Sequence, residues 1–269
     1  MSAKAPRIRI GVGGWVFEGW RKSFYPDDLP QSRELEHMSR AVTAIEINGT
    51  YYGSQKPESF RRWHAETPED FVFAVKGPRF ATNRRVLKDS AESVEKFLGS
   101  GVTELRDKLG PINWQFPPTK AFDAEDFAGF LALLPKERDG VALRHAVEVR
   151  HPSFADPDFV ALVRAHDVAV IISGDSKFPL IPDVTASFVY LRMLGTSPDH
   201  VHGYSDADAM AWVDRMRVWA AGGAPDDLEP VSKPNPAHKV SRDVFAFVID
   251  GAKEKNPFAA QDMIRMLAD

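Results

Sequence analysis

The sequence predicts an α/β fold of TIM type, a (β/α)8 barrel of eight parallel strands, on three observations. Eight short apolar runs recur along the chain: IRIGVGG (8–14), AIEIN (44–48), FVFAVK (71–76), INWQF (112–116), AVEVR (146–150), AVIISGD (169–175), FVYLR (188–192) and VFAFVID (244–250). They are nearly continuous in β-branched and aromatic residues, as strands covered on both faces are. Stretches with helix signals separate most of them, which is the alternation of a βα repeat. Nearly every run also ends in a charged or amide residue of one phase. In such barrels the chemistry sits at the C-terminal ends of the strands, where this chain places Glu46, Asn48, Lys76, Gln115, Glu148, Arg150, Asp175, Arg192 and Asp250.

The elements follow in order. Helix signals lie between most of the runs, each helix following a strand closely, as right-handed βα units require. Asp123 caps a helix over 124–134, with Asp126 three residues on. Asp156 and Pro157 open a helix over 157–166, Ser205 with Asp208 opens 206–221, and Asn256 with Pro257 opens 257–268. The exception lies after strand six. Residues 176–187 hold two prolines and little helix character, so an irregular crossover is expected there. Residues 222–236, rich in Pro, Gly and Asp, read as a long surface connection into strand eight.

A length of 269 residues suits one such barrel, about 250 residues being typical, so 1–269 is read as one domain. The net charge of -4 argues against a broad, non-specific nucleic-acid surface and leaves room for a local basic mouth. The absence of cysteine excludes disulfides, zinc thiolates and a thiol nucleophile. Residues 1–10 contain no apolar signal core, and no apolar stretch approaches the ~18 residues of a membrane span. A cytoplasmic protein without membrane contact is expected. GVGG at 11–14 lacks the full GxGxxG, and neither GxxxxGK[ST] nor GxSxG occurs, so no nicotinamide or flavin motif is present.

Side chains alternate along a strand, so phase decides which residues share a face. Ala44, Glu46 and Asn48 go together, as do Val72, Ala74 and Lys76, and Ala146, Glu148 and Arg150. The smaller and polar set should face the barrel axis and the bulky set the helices. The same count pairs Gln115 with Asn113, Asp175 with Ser173, and Asp250 with Val248 and Ala246; Arg192 shares its face with Phe188 and Tyr190. An axial ring of four acids and three bases would then form. It is either an ion-pair network that fills the barrel or a ligand site, and the several kcal/mol needed to desolvate each ion favour the ligand.

Two carboxylate chemistries are open. Glu46 and Glu148 could divide acid and base roles, as in glycoside hydrolysis, or Glu46, Glu148 and Asp175 could hold a divalent metal through oxygen. His151, at the mouth of strand five, is a candidate for proton transfer. Lys76, Arg150 and Arg192 argue for a small anionic ligand, and Arg79, Arg84, Arg85 and Lys88 would extend positive charge onto the rim. Trp15, Tyr51 and Tyr52, just past strand ends, could stack on a sugar or base. The expected activity is a hydrolase or isomerase acting on a phosphorylated sugar, nucleotide or phosphodiester. Single-stranded nucleic-acid binding and a non-catalytic anion sensor are the alternatives. His200 and His202 alternate like metal ligands but sit in a polar loop.

The segments GGWVFEGWRKSFYP (13–26), VTAIEINGTYY (42–52), SFRRWHAETPEDFVFAVKGPRFAT (59–82), LGPINWQFPP (109–118) and RHAVEVRHPSF (144–154) resemble the YecE-like proteins, a family defined as a domain of unknown function. The resemblance covers nearly the whole chain. It implies a TIM-type barrel, akin in architecture to the xylose-isomerase and endonuclease-four barrels, and no established reaction. It also implies that Glu46, Asn48, Thr50, Tyr51, Tyr52, Lys76, Gln115, Glu148, Arg150 and His151 line the mouth. The metal-binding histidines of those other barrels have no counterpart at these strand ends. Where many members carry paired asparagines after strand eight, this chain reads FVIDGAKEKNP.

Overall fold

The computed structural model describes residues 7–233 and 240–268. The last three residues of the 222–236 connection lie outside the described residues, as do 1–6 and His238. Eight parallel strands close on themselves: β1 (Ile8–Gly13), β2 (Ala44–Ile47), β3 (Val72–Lys76), β4 (Leu109–Gln115), β5 (His145–Glu148), β6 (Ala169–Gly174), β7 (Phe188–Met193) and β8 (Asp243–Val248). Each strand pairs with its neighbour in sequence, and β1 pairs with β8, Ile8 opposite Val244 through Val12 opposite Val248. The predicted TIM-type barrel is what forms.

Outer helices cover the strands: α1 (Glu34–Ala41), α2 (Pro57–Glu66), α3 (Ala91–Leu98), α4 (Ala124–Leu131), α5 (Pro157–Ala165), α6 (Asp206–Ala220) and α7 (Asn256–Ala268). The caps read from sequence are in place. Asp123, Asp156 and Ser205 accept from the backbone N–H of Asp126, Asp158 and Asp208, satisfying donors that a helix start leaves unpaired. Between β6 and β7 no regular helix forms, as the prolines of 176–187 required. An antiparallel ribbon of Glu137–Arg138 with Val141–Ala142, not foreseen from sequence, precedes β5. Among the described residues, no helix is long and apolar enough to cross a membrane.

Two apolar layers result. Ile45, Ile47, Phe73, Val75, Trp114 and Val147 face outward against Phe127, Val163, Trp212 and Met263 of the helices. Ala44, Ala74, Ala146, Ala169, Ile171, Phe188 and Tyr190 fill the barrel. The phase assigned from sequence therefore holds on β2, β3, β5 and β7.

On β8 it is reversed. Phe245, Phe247 and Ile249 pack inside, while Val244, Ala246 and Val248 face the helices. The cause is volume. Phe247 lies in register with Gly11 of β1, and a side chain at Gly13 would meet Ile249. Glycine and alanine on the facing strands leave space that only large side chains close, because interiors pack to near-crystalline density. Asp250 therefore reaches the mouth from the turn after β8, not from the face of Val248.

Gly11 has a second constraint. A Cβ there would stand 1.8 Å from the Ala44 carbonyl oxygen, a backbone atom of β2. Gly11→Ala is expected to cost about 2–3 kcal/mol in urea denaturation. A change within about 0.5 kcal/mol, the range of a neutral surface substitution, would contradict this packing of β1 on β2.

Candidate functional site

The inward polar residues stack in two levels. In the lower, Glu46 and Glu148 are both fully buried, on β2 and β5. Arg192 of β7 lies between them, donating from Nη2 to Glu46 Oε1 at 3.1 Å and from Nη1 to Glu148 Oε2 at 2.6 Å. Tyr190, two residues earlier on the same face, donates its hydroxyl to Glu46 Oε2 at 2.5 Å. Asn113 Nδ2 reaches both carboxylates, at 3.2 and 3.4 Å. In the upper level Arg150 grips Glu148 Oε1 through Nε and Nη2, at 2.8 and 2.6 Å. Gln115 Oε1 accepts from Arg150 Nη2 at 3.0 Å and from Lys76 Nζ at 2.6 Å.

Each of these ions would cost several kcal/mol to bury alone. Guanidinium–carboxylate contacts offset that cost: Arg150 places two N–H groups on one oxygen of Glu148, and Arg192 bridges the two carboxylates. The electrostatics follow. Burial would raise the Glu148 carboxyl, but Arg192, Arg150 and Lys76 outweigh it and hold it down to about 2. The Tyr190 phenol is pushed well up by burial and by Glu46. Lys76 moves the other way: burial, with the Arg192 and Arg150 charges, lowers its amine to about 8 against the pull of Glu46 and Glu148. Arg192 Nε is buried with no hydrogen-bond partner among the described residues.

Above this network opens a cavity of about 570 Å³. Its floor carries Lys76, Gln115, Arg150 and Arg192; its walls include Trp15, Asn48, Tyr52, Trp63 and Asp250. Glu46 and Glu148 do not line it. They lie beneath the cations they neutralise, so the floor offers donors. Glycine shapes the rim: Gly14 takes φ +78, a left-handed turn that suits a residue without Cβ.

Several residues singled out from sequence stand elsewhere. Asp175 adopts φ 52, which ends the alternation of β6. Its carboxylate turns outward and accepts from Trp212 Nε1 and Tyr204 Oη, both at 2.8 Å. With Glu46 and Glu148 held by cations, the three acids do not assemble into an oxygen cage for a metal. Nor is either glutamate placed to exchange a proton with a molecule in the cavity. His151 caps the turn Pro152–Phe154, its Nδ1 at 2.8 Å from Ser153 Oγ, and does not line the cavity. Thr50 is buried and donates to the Lys76 carbonyl at 2.7 Å, fixing the end of β3. Tyr51 presents its ring 4.8 Å from Lys76 Nζ. His202 bonds Asp262 at 2.6 Å and stacks on Phe258. Arg79, Arg84, Arg85 and Lys88 are exposed and do not line the cavity.

Gln55, Trp63 and Lys253 line the cavity without having been singled out as site residues. All three lie outside the strands, where phase gives no signal. Position after a barrel strand is the only sequence cue for Gln55 and Lys253.

Glu148→Gln leaves Arg192 and Arg150 short of a buried counter-charge and is expected to cost about 3–5 kcal/mol in denaturant. The acid limb has a defined sign. Unfolded, the carboxyl titrates near 4.5; folded, it is held at about 2. Between those values the unfolded chain binds the extra proton, so stability falls as pH drops through that window. The substitution should flatten that slope; an unchanged acid limb would contradict the pairing.

The family model described as protein of unknown function DUF72 matches residues 9–269. The UPF0759 protein YecE of Escherichia coli (strain K12) is 32% identical over 150 residues, covering 55% of this chain and 50% of that protein. The UPF0759 protein YunF of Bacillus subtilis (strain 168) is 27% identical over 157 residues, covering 56% and 54%. The chain's matches thus span about half the length of these curated relatives. Among solved structures, a DUF72 family protein (TM1631) from Thermotoga maritima MSB8 superposes with a TM-score of 0.74 at 20% identity, over 97% of this chain and 99% of that one. At that identity the likeness shows the fold. With the model match running to the last residue, the chain belongs to the DUF72 family.

Proposed function

We propose that the mouth of the barrel binds a small anionic ligand, one bearing a phosphate group, and that this is the protein's principal function. The observation that carries the reading is the vertical order of charge. Lys76, Arg150 and Arg192 line the cavity floor, while Glu46 and Glu148, bonded to Arg192 and Arg150, are buried and do not line it. Preorganised donors in a partly dry site are worth more than the same groups in water. Trp15, Trp63 and Tyr52 give the rest of a ligand flat surface to rest on, which suits a sugar or nucleotide. In this reading Glu46 and Glu148 are positioning residues. Hydrolysis or isomerisation of a phosphorylated sugar, nucleotide or phosphodiester would then depend on groups that reach the cavity, Lys76 and Asp250 among them; binding without turnover would make the protein a sensor.

A second reading has one observation of its own. Tyr52 and Phe80 are 68% and 61% exposed, and the Arg79 guanidinium stands 6.0 and 5.5 Å from their ring centres. Exposed rings beside a cation suit a stacked single-stranded polynucleotide. That reading requires oligonucleotide binding that weakens steeply with salt.

Calorimetry with inorganic phosphate tests the first reading. Lys76→Met and Arg150→Met are each expected to weaken binding roughly tenfold or more, the worth of a hydrogen bond to a charged group. Sulfate stays doubly charged across neutral and basic pH, so its affinity reports on the protein. Below about 8 the Lys76 amine carries its proton; as pH rises through about 8 it loses it, and sulfate affinity should fall. No binding of either anion, or binding indifferent to both variants, would overturn the reading.

A further inference from the structure

Lys76 differs from the other cations of the floor. Arg192 holds both Glu46 and Glu148, and Arg150 holds Glu148. Lys76 touches no carboxylate among the described residues. Its Nζ makes one hydrogen bond there, to Gln115 Oε1, and lies over the face of Tyr51. The side chain is 6% exposed, yet it lines the cavity. The charged groups around it come from every side: Arg192 from β7, Arg150 from beyond β5, Glu46 from β2 and Glu148 from β5. An amine so placed is an unpaired cation in a site whose neighbouring guanidiniums already supply the charge an anion needs.

We propose that Lys76 is a nucleophile that forms a Schiff base with an anionic aldehyde or ketone, whose carboxylate or phosphate rests on Arg150 and Arg192. The inference rests on the anion-binding reading and adds a covalent step to it. Desolvation beside other cations is how proteins keep a lysine neutral enough to attack a carbonyl, and Lys76 is lowered to about 8 by those causes. The neutral Nζ adds its lone pair to the carbonyl carbon. The carbonyl π pair moves to oxygen, which takes up the proton that nitrogen gives up. A second proton, from solvent in the open cavity, lets the hydroxyl leave as water, and the nitrogen lone pair closes the C=N bond. The product iminium carries the same single positive charge as the ammonium, so the charge above Glu46 and Glu148 is conserved.

Reductive trapping tests this. The protein is treated near neutral pH with glyoxylate and cyanoborohydride, and each lysine is followed by peptide mass spectrometry for a carboxymethyl group. Lys76 should gain it at least about tenfold faster than exposed Lys22 and Lys96, because a desolvated amine beside other cations is neutral more often. Excess inorganic phosphate should slow Lys76 alone, and acetaldehyde, which lacks the carboxylate, should lose the preference. Lys76→Arg should still bind phosphate and show no labelling at that position. If Lys76 labels no faster than Lys22, or equally fast with acetaldehyde, the Schiff base is overturned while phosphate binding by calorimetry still upholds the anion site. If phosphate does not bind, the anion reading itself has failed, whatever the labelling.

Discussion

Arg192 between Glu46 and Glu148 is the contact on which the rest of the site depends. A guanidinium inside a barrel is costly unless its charge is matched. Two carboxylates from β2 and β5 match it across the barrel, bonded to Nη2 and Nη1. The carboxylates in turn need their remaining lone pairs filled, and Tyr190, Asn113 and Arg150 supply the donors. Five strands, β2, β3, β4, β5 and β7, are thereby tied through one polar cluster. Its composition sets the sign of the cavity floor, which Lys76, Arg150 and Arg192 line and Glu46 and Glu148 do not.

That depth ordering separates a list of charges from a site. Residues two apart on one strand face differ by roughly 6.5 Å in height, so Glu148 sits one level below Arg150, as strand alternation required. Strand-end position alone does not distinguish these charges from one another. The structure buries Glu46 and Glu148 and leaves Lys76, Gln115, Arg150 and Arg192 lining the cavity. In the proposed anion site, the cost of burial is the cost of holding Lys76, Arg150 and Arg192 still, an exchange of stability for preorganisation.

Much of this was legible in the sequence where regular structure persists. The strands, the helix caps at Asp123, Asp156 and Ser205, the irregular crossover after β6 and the inward phase of Glu46, Lys76, Glu148 and Arg192 all follow from local rules. The failures share a physical origin. Asp175 and His151 lie one to three residues past a strand, where one left-handed residue or one turn redirects a side chain and alternation carries no information. On β8, both faces are apolar, so nothing local says which is inside; Gly11 and the alanines of other strands decide it through volume. Trp63 lies within a helix yet lines the cavity, which no single-sequence pattern records.

The central claim, that buried glutamates hold a cationic floor for an anion, is tested most directly by seeing an anion there. Crystals soaked in selenate, a tetrahedral dianion whose anomalous scattering locates it without ambiguity, should show one strong peak in the barrel mouth. It should lie within hydrogen-bond distance of Lys76 Nζ and the Arg150 guanidinium, with Glu46 and Glu148 still bonded to Arg192 beneath it. An empty mouth with selenate bound only at surface arginines such as Arg79 or Arg84, or a mouth occupied only after Arg192 abandons its carboxylates, would contradict the account.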